Sequence, residues 1–463
     1  MAIRSEDTIV AIATPPGVGG VGIVRLSGSR AVAIADALFR PEGGKAENRL
    51  SRVESHRMVY GWIENEEGPI DEVLAVVMRA PRSYTREDVV EVHCHGGMLI
   101  LTMVLELACG RGARMAEAGE FTLRAFLNGR VDLTQAEAVG DMVRSRSALG
   151  LRVSVDQLRG RLYEEIKALS GQVAQVAALV AAGIDFPEED VVFAHRGEIQ
   201  GRLDGVQEKL AGLLAGAGRG RIIREGLAVA IVGRPNVGKS SLLNRLLREN
   251  RAIVTDLPGT TRDTVEETVQ MGGLMLRLVD TAGIRHTADR LEREGIARSR
   301  AAMARADLAL LVLDGAEPLS DEDWTLMGET AGQASLVVVN KADLLGESPP
   351  GWMAQLKGRP SVMVSAVTGA GLEALEAWIH DWALSGDRPV LEDALITNLR
   401  QENAAREAAE AIGSAREALE AGLGDELLAI DLERGLSALG AIVGETTAED
   451  LLNRIFAEFC IGK

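Results

Sequence analysis

An apolar run, Leu227–Val232, passes directly into Gly233-Arg-Pro-Asn-Val-Gly238-Lys239-Ser240 and then into the helix-forming Ser241–Leu247. A buried strand, a loop of the form GxxxxGK[ST] and a helix, in that order, aim successive backbone N–H groups at a phosphate chain. Asn236, Val237, Gly238 and Ser241 frame such a loop, Lys239 reaches the β and γ oxygens, and Ser240 gives its hydroxyl to Mg2+. Strand-like runs recur at Met275–Asp280, Leu308–Asp314, Leu336–Asn340 and Val362–Ser365. Helix-compatible segments separate several of them, which predicts a parallel α/β sheet around the loop.

Several of these strands end in chemistry. Asp280-Thr281-Ala282-Gly283 places a carboxylate beside the Mg2+ shell and a glycine N–H beside the γ-phosphate. In Asn340-Lys341-Ala342-Asp343, an ionised Asp343 can accept from both the N1–H and the 2-amino group of guanine, a donor pair that adenine lacks. Ser365-Ala366 supplies a base-side loop. Taken in this order across one α/β unit, the motifs predict a GTPase domain. Between the first two lies Asp256-Leu257-Pro258-Gly259-Thr260-Thr261, from which Thr261 is expected to give its hydroxyl to Mg2+ and its N–H to the γ-phosphate. Ile284 follows Gly283, and isoleucine cannot orient a water. The attacking water therefore needs another group, and Glu292 and Glu294 in the polar segment that follows are the candidates.

The flanks have a different texture. Residues 1–120 read as mixed α/β, with strands at Thr8–Ala13, Gly22–Leu26, Val73–Met78 and Val89–His93 and a helix at Ala31–Phe39. Gln157–Ala182, Gly197–Gly218 and Asn398–Ala421 read as helices. Helices on both sides of a compact α/β unit predict a domain inserted into a helical one. The divisions expected are 1–120, 121–225, 226–384 and 385–463. The chain carries 68 Asp and Glu against 50 Lys and Arg, a formal net charge of −18. That balance argues against broad electrostatic binding of nucleic acid and leaves room for a local basic cleft. The three cysteines, Cys94, Cys109 and Cys460, form no CxxC pair, so neither a disulfide framework nor a four-cysteine zinc site is expected. The first residues lack the pattern of a signal peptide, and no apolar run is expected to span a bilayer. The expectation is a reduced cytoplasmic protein with no membrane attachment.

The motifs and flanks together resemble the MnmE (TrmE) family of tRNA-modification GTPases over nearly the whole chain. The resemblance is carried by Asp7-Thr-Ile-Val-Ala with Thr14-Pro-Pro-Gly, by the segment Ala125–Ala138, by Ile184-Asp-Phe-Pro-Glu-Glu189, by Gly233-Arg-Pro-Asn and by Phe459-Cys-Ile-Gly-Lys463. It implies an α+β folate-binding and dimerisation domain, then a helical domain with a Ras-like P-loop GTPase domain inserted into it. It also implies a homodimer that joins the flavoprotein MnmG (GidA) in a heterotetramer. The pair would add an aminomethyl-type group, carboxymethylaminomethyl or aminomethyl, at carbon 5 of wobble uridine in certain tRNAs. The one-carbon unit would come from a tetrahydrofolate derivative, 5-formyl or 5,10-methylene, and the partner would carry FAD.

Residue by residue, the resemblance assigns K+ to Asn236, Thr255, Leu257 and Thr260 and raises Glu292 above Glu294 as the water-positioning group. Arg25, Glu91, Arg130 and Lys463 match folate contacts, with arginine at position 130 where some relatives have lysine. Cys460 matches a cysteine of the modification chemistry. A simpler regulatory or ribosome-assembly GTPase switch would share the nucleotide motifs and have no use for the folate residues or the Cys460–Lys463 tail. Residues 384–463 hold 16 acidic and 7 basic residues, net −9 and half of the chain's deficit. These helices are thus expected to face solvent or a basic partner, with the flavoprotein supplying much of the tRNA phosphate contact.

Three motifs invite other readings. Gly17-Val-Gly19-Gly20-Val-Gly22 fits GxGxxG, but a strand rather than a helix is expected to follow, so a tight turn is favoured over dinucleotide binding. His93-Cys94-His95 lacks companion ligands, and a turn after strand Val89–Val92 is favoured over a metal site. Cys460 stands four from the end, but Gly462 and the final lysine do not suit prenylation.

Overall fold

The computed structural model describes residues 7–185, 191–249, 267–279, 302–346, 348–384 and 394–462. The chain divides into two compact units. The first comprises 1–140, 157–203 and 410–463, and the second 141–156 and 204–409.

The first unit is built on a seven-stranded sheet of β1 (Ile9–Ile12), β2 (Gly19–Ser27), β3 (Phe39–Pro41), β4 (Met58–Asn65), β5 (Gly68–Met78), β6 (Val89–Gly96) and β7 (Arg114–Met115), in the order β3-β4-β5-β6-β2-β1-β7. All neighbours are antiparallel except β1 and β7. Alternation with period two sends Val24, Leu26, Val73, Ala75, Val77, Val90, Val92 and Cys94 to one face. There they pack with Ile34 and Leu38 of α1 (Ala31–Leu38) and Leu101 and Val104 of α2 (Met98–Gly110). The other face carries Arg25 opposite Glu91, and Leu74 opposite His93.

Helices α3 (Glu120–Leu127), α4 (Leu133–Arg144) and α5 (Ala148–Leu158) lead to α6 (Arg161–Asp185). Gly160, at φ +88°, breaks the chain between α5 and α6, inside the run read from sequence as one helix. Helix α6 is long and apolar enough to cross a bilayer by length and composition, which the sequence reading passed over. Its fully buried Leu162, Ile166, Leu169, Val173, Val176 and Val180 recur every three or four residues, the stripe of a core helix. The next helix is α7 (Val191–Glu225).

The second unit holds a six-stranded sheet of β8 (Leu227–Val232), β9 (Glu267–Met271), β10 (Leu274–Leu278), β11 (Leu308–Asp314), β12 (Ser335–Asn340) and β13 (Ser361–Met363), ordered β13-β12-β11-β8-β10-β9. All residues of β8 and β11 are buried, as parallel strands covered on both faces must be. The sheet is not wholly parallel, because β9 runs antiparallel to β10 at one edge. The short, polar Glu-Thr-Val-Gln-Met sequence of β9 has no apolar run to announce it. Helices α8 (Lys239–Glu249), α9 (Asp321–Glu329) and α10 (Leu372–Leu384) follow strands of this sheet, and α11 (Leu399–Ala421), α12 (Asp425–Val443) and α13 (Glu449–Ala457) complete the chain.

Candidate functional sites

The phosphate loop joins β8, flanked by β10 and β11, to the start of α8. Its turn depends on Gly233 at φ +153°, Asn236 at +66° and Gly238 at +97°. A Cβ on Gly238 would lie 2.1 Å from Nδ2 of Asn340, so only glycine fits there. The Lys239 ammonium donates to the carbonyls of Gly233 and Arg234 at 2.5 and 2.6 Å. Burial pulls its pKa below the usual lysine value. A desolvated ammonium above a loop of backbone N–H groups suits a polyanion, which would offset the cost of its burial.

Asn340 bridges the loops. Its Nδ2 donates to the Val237 carbonyl at 2.8 Å, and its Oδ1 accepts from the Ala366 N–H at 3.0 Å. Lys341, at φ +65°, sends its ammonium to the buried Asp314 carboxylate at 2.5 Å. Asp343 is exposed, and one of its oxygens accepts from the Ser365 hydroxyl at 2.5 Å. Arg245 donates to the carbonyls of Ala366 and Val367. The fold thus gathers the phosphate loop, Asn340, Lys341, Asp343, Ser365 and Ala366 at the C-terminal ends of the parallel strands. That is where open α/β sheets bind ligands. Asp314 and Arg245, which fix Lys341 and the Ala366 loop, were not singled out from sequence, because no motif includes them. Thr255, Asp256, Leu257, Pro258, Gly259, Thr260, Thr261, Asp280, Thr281, Ala282, Gly283, Glu292 and Lys463 lie outside the described residues.

In the first unit, Arg25 Nε donates to Glu91 Oε1 at 2.7 Å, and Nη1 donates to the Gly462 carbonyl at 3.2 Å. The guanidinium lies 5.7 Å from the Tyr84 ring centre and 5.6 Å from that of Phe121, while Arg130 covers Tyr84 at 4.6 Å. The tail reaches this place because Ile461 bridges to Ala118 and the Cys460 carbonyl accepts from Gly119 N–H. Gly462 leaves no room for a Cβ, which would meet the Ile12 carbonyl at 2.5 Å. Cys460 itself is exposed. A partly buried arginine–carboxylate pair beside aromatic rings offers donors, acceptors and a stacking surface, the functions a pterin requires. Tyr84, Phe121 and His93, whose Nε2 lies 3.4 Å from Glu91 Oε2, join this cluster only through the fold.

His93, Cys94 and His95 do not form a turn; they continue β6 to Gly96. The histidines point to one face and Cys94 to the other, where burial pushes its thiol pKa up to about 12. His95 Nδ1 lies 2.7 Å from Asp71, whose hydrogen bond and charge hold the imidazole pKa above its ordinary value. No group of three metal-binding side chains occurs among the described residues. The GxGxxG glycines run into β2 through a bulge between Gly19 and Gly22, so no helix N-terminus stands behind them.

The model of the MnmE helical domain matches residues 133–460, and that of the TrmE N-terminus matches residues 8–130. The tRNA modification GTPase MnmE of Moorella thermoacetica is 48% identical over 99% of this chain and its own full length. Those of Symbiobacterium thermophilum, at 48%, and Chloroflexus aurantiacus, at 47%, are covered to the same extent. The chain belongs to the MnmE family. In this MnmE family member the helical match begins at Leu133 and runs past the phosphate loop, so a P-loop GTPase unit lies within the span of a helical domain.

Proposed function

We propose that this chain is a GTP-hydrolysing tRNA-modification enzyme, in which hydrolysis in the second unit serves chemistry supported by the Arg25 cluster. The carrying observation is the single cluster of phosphate loop, Asn340 and Asp343, in a chain 48% identical to a tRNA modification GTPase over its length. Lys239 meets the β and γ oxygens and Asp343 reads guanine. Ser240 and Thr261 would hold Mg2+, which would supply positive charge beside the phosphates. Asn236, Thr255, Leu257 and Thr260 would supply oxygens for K+, which would add to that positive charge. The hydrolysis rate in K+ should therefore exceed that in Na+ by about tenfold or more. Equal rates in the two salts would remove the assignment of those residues.

The modification proposed is at carbon 5 of wobble uridine, carried out with a flavoprotein that holds FAD. A tetrahydrofolate derivative supplies the one-carbon unit when bound. Arg25 and Glu91 bind and orient it, Arg130 and Lys463 add positive charge at its rim, and Cys460 stands on the tail that Arg25 anchors. The domains follow the divisions 1–120, 121–225, 226–384 and 385–463, in a cytoplasmic homodimer paired with the flavoprotein. Cells carrying Cys460→Ser should show wobble uridine lacking the modification by mass analysis, while the purified variant hydrolyses GTP at the normal rate. Full modification in those cells would sink the role of the tail and favour a GTPase switch.

A further inference from the structure

The chain is acidic overall, yet one part of its second unit runs the other way. Residues 141–156 and 219–225 hold six arginines, Arg144, Arg146, Arg152, Arg219, Arg221 and Arg224, against Asp141, Asp156 and Glu225. The fold brings these segments together. Val153 of α5 and Ile223 of α7 share one buried cluster, and a Cβ on Gly150 would lie 3.1 Å from the Ile223 carbonyl. Arg224 Nε donates to Asp141 Oδ1 at 2.8 Å, and Arg144 Nη2 lies 3.8 Å from the same oxygen. One buried carboxylate thus answers two guanidinium groups.

Arg146 and Arg152 are exposed and Arg221 is half-buried. No ion pair joins any of the three to a carboxylate among the described residues. The backbone around Arg146 and Arg152 is tied locally: Ser147 Oγ accepts from Gly150 N–H at 3.0 Å, Ser145 Oγ donates to the Ser147 carbonyl at 3.1 Å, and Ser154 Oγ donates to the Gly150 carbonyl at 2.9 Å. Guanidinium groups match phosphate oxygens in pairs. Spread over the loop between α4 and α5, the second turn of α5 and the last turns of α7, they suit a phosphate chain better than a single anion.

We infer that this arginine surface binds the phosphate backbone of RNA, with Arg146, Arg152 and Arg221 making the contacts. The inference rests on the tRNA-modification reading and gives this chain its own share of the RNA, beside whatever a partner supplies. The test is tRNA binding by the full-length chain across a salt series, for wild type, the triple variant R146Q/R152Q/R221Q and the equal-charge control R52Q/R57Q/R82Q. The control residues are exposed arginines of the first unit. The triple variant should hydrolyse GTP normally, bind tRNA about tenfold or more weakly at low salt, and lose about three units of slope in log K against log salt. The control should keep the wild-type slope. Equal binding and slope in wild type and triple variant would overturn the inference and leave the tRNA-modification reading intact. Failure of the wild type to bind any tRNA would overturn the inference alone, since the flavoprotein would then supply the phosphate contacts. Equal losses in triple variant and control would overturn it too, since net charge rather than this surface would then set the affinity. Binding to phosphatidylglycerol vesicles that the triple variant loses, with tRNA bound equally, would reassign the surface to lipid.

Discussion

Asp343→Asn is expected to lower GTP affinity by about 10²–10⁴-fold and to transfer the preference to xanthosine triphosphate. In the proposed contact the Asp343 carboxylate would accept from N1–H and the 2-amino group of guanine. An asparagine still accepts from N1–H, but its amide meets the 2-amino group donor to donor. Xanthine carries an oxygen at position 2, which turns that repulsion into a hydrogen bond. The cost for GTP is an unpaired donor in a closed contact, about 1–3 kcal/mol, added to the loss of a charge-assisted pair. The loop should survive the change, since the Ser365 hydroxyl that now donates to Asp343 at 2.5 Å can serve an amide oxygen equally well. Competition with a fluorescent nucleotide measures both affinities. An unchanged preference for GTP over the xanthine nucleotide would place guanine recognition elsewhere.

Glu292→Ala is expected to leave GTP affinity near normal and to lower kcat by about 10²–10⁴-fold. Ile284 follows Gly283 in the sequence, at the position where a side chain with both donor and acceptor would orient the attacking water. A hydrocarbon there cannot, so the catalytic demand passes to a polar group further along the chain. A carboxylate accepts the hydrogen bonds of the water and aligns its lone pair with the γ-phosphorus. The loss of a group that touches the water and not the nucleotide should appear in turnover and not in binding. Single-turnover hydrolysis with separately measured affinity checks the split. Normal turnover in this variant would return the role to Glu294 or to another group.

What was legible in the sequence was what lies close together along the chain. The β8–loop–α8 unit is continuous from Leu227 to Glu249, and Asn340 and Asp343 share one tetrapeptide at a strand end. Their convergence follows once β8 and β12 run parallel on either side of β11. Less legible were contacts that depend on tertiary pairing. Arg25, the Tyr84–Glu91 segment and Phe121 are separated by tens of residues, and no local pattern brings a guanidinium to those rings. Arg25 and Glu91 were named through family resemblance, whereas Tyr84 and Phe121 needed the fold. The turn expected at His93-Cys94-His95 was wrong for a related reason. Alternation in β6 continues through polar side chains, because His93 and His95 pair with Glu91 and Asp71 while Cys94 serves the core. Edge strand β9 went unread because an edge tolerates polar residues that a central strand does not.

The bridge made by Asn340 bears on how binding energies in this protein are to be divided. One carboxamide ties the backbone beneath the phosphates, at Val237, to the backbone of the base-side loop, at Ala366. A triphosphate and a guanine bound as proposed would therefore be held by one connected frame, and their contributions could not be added as if they occupied separate compartments. The loss seen on truncating Asn340 would measure the coherence of that frame rather than the strength of any one contact with the nucleotide.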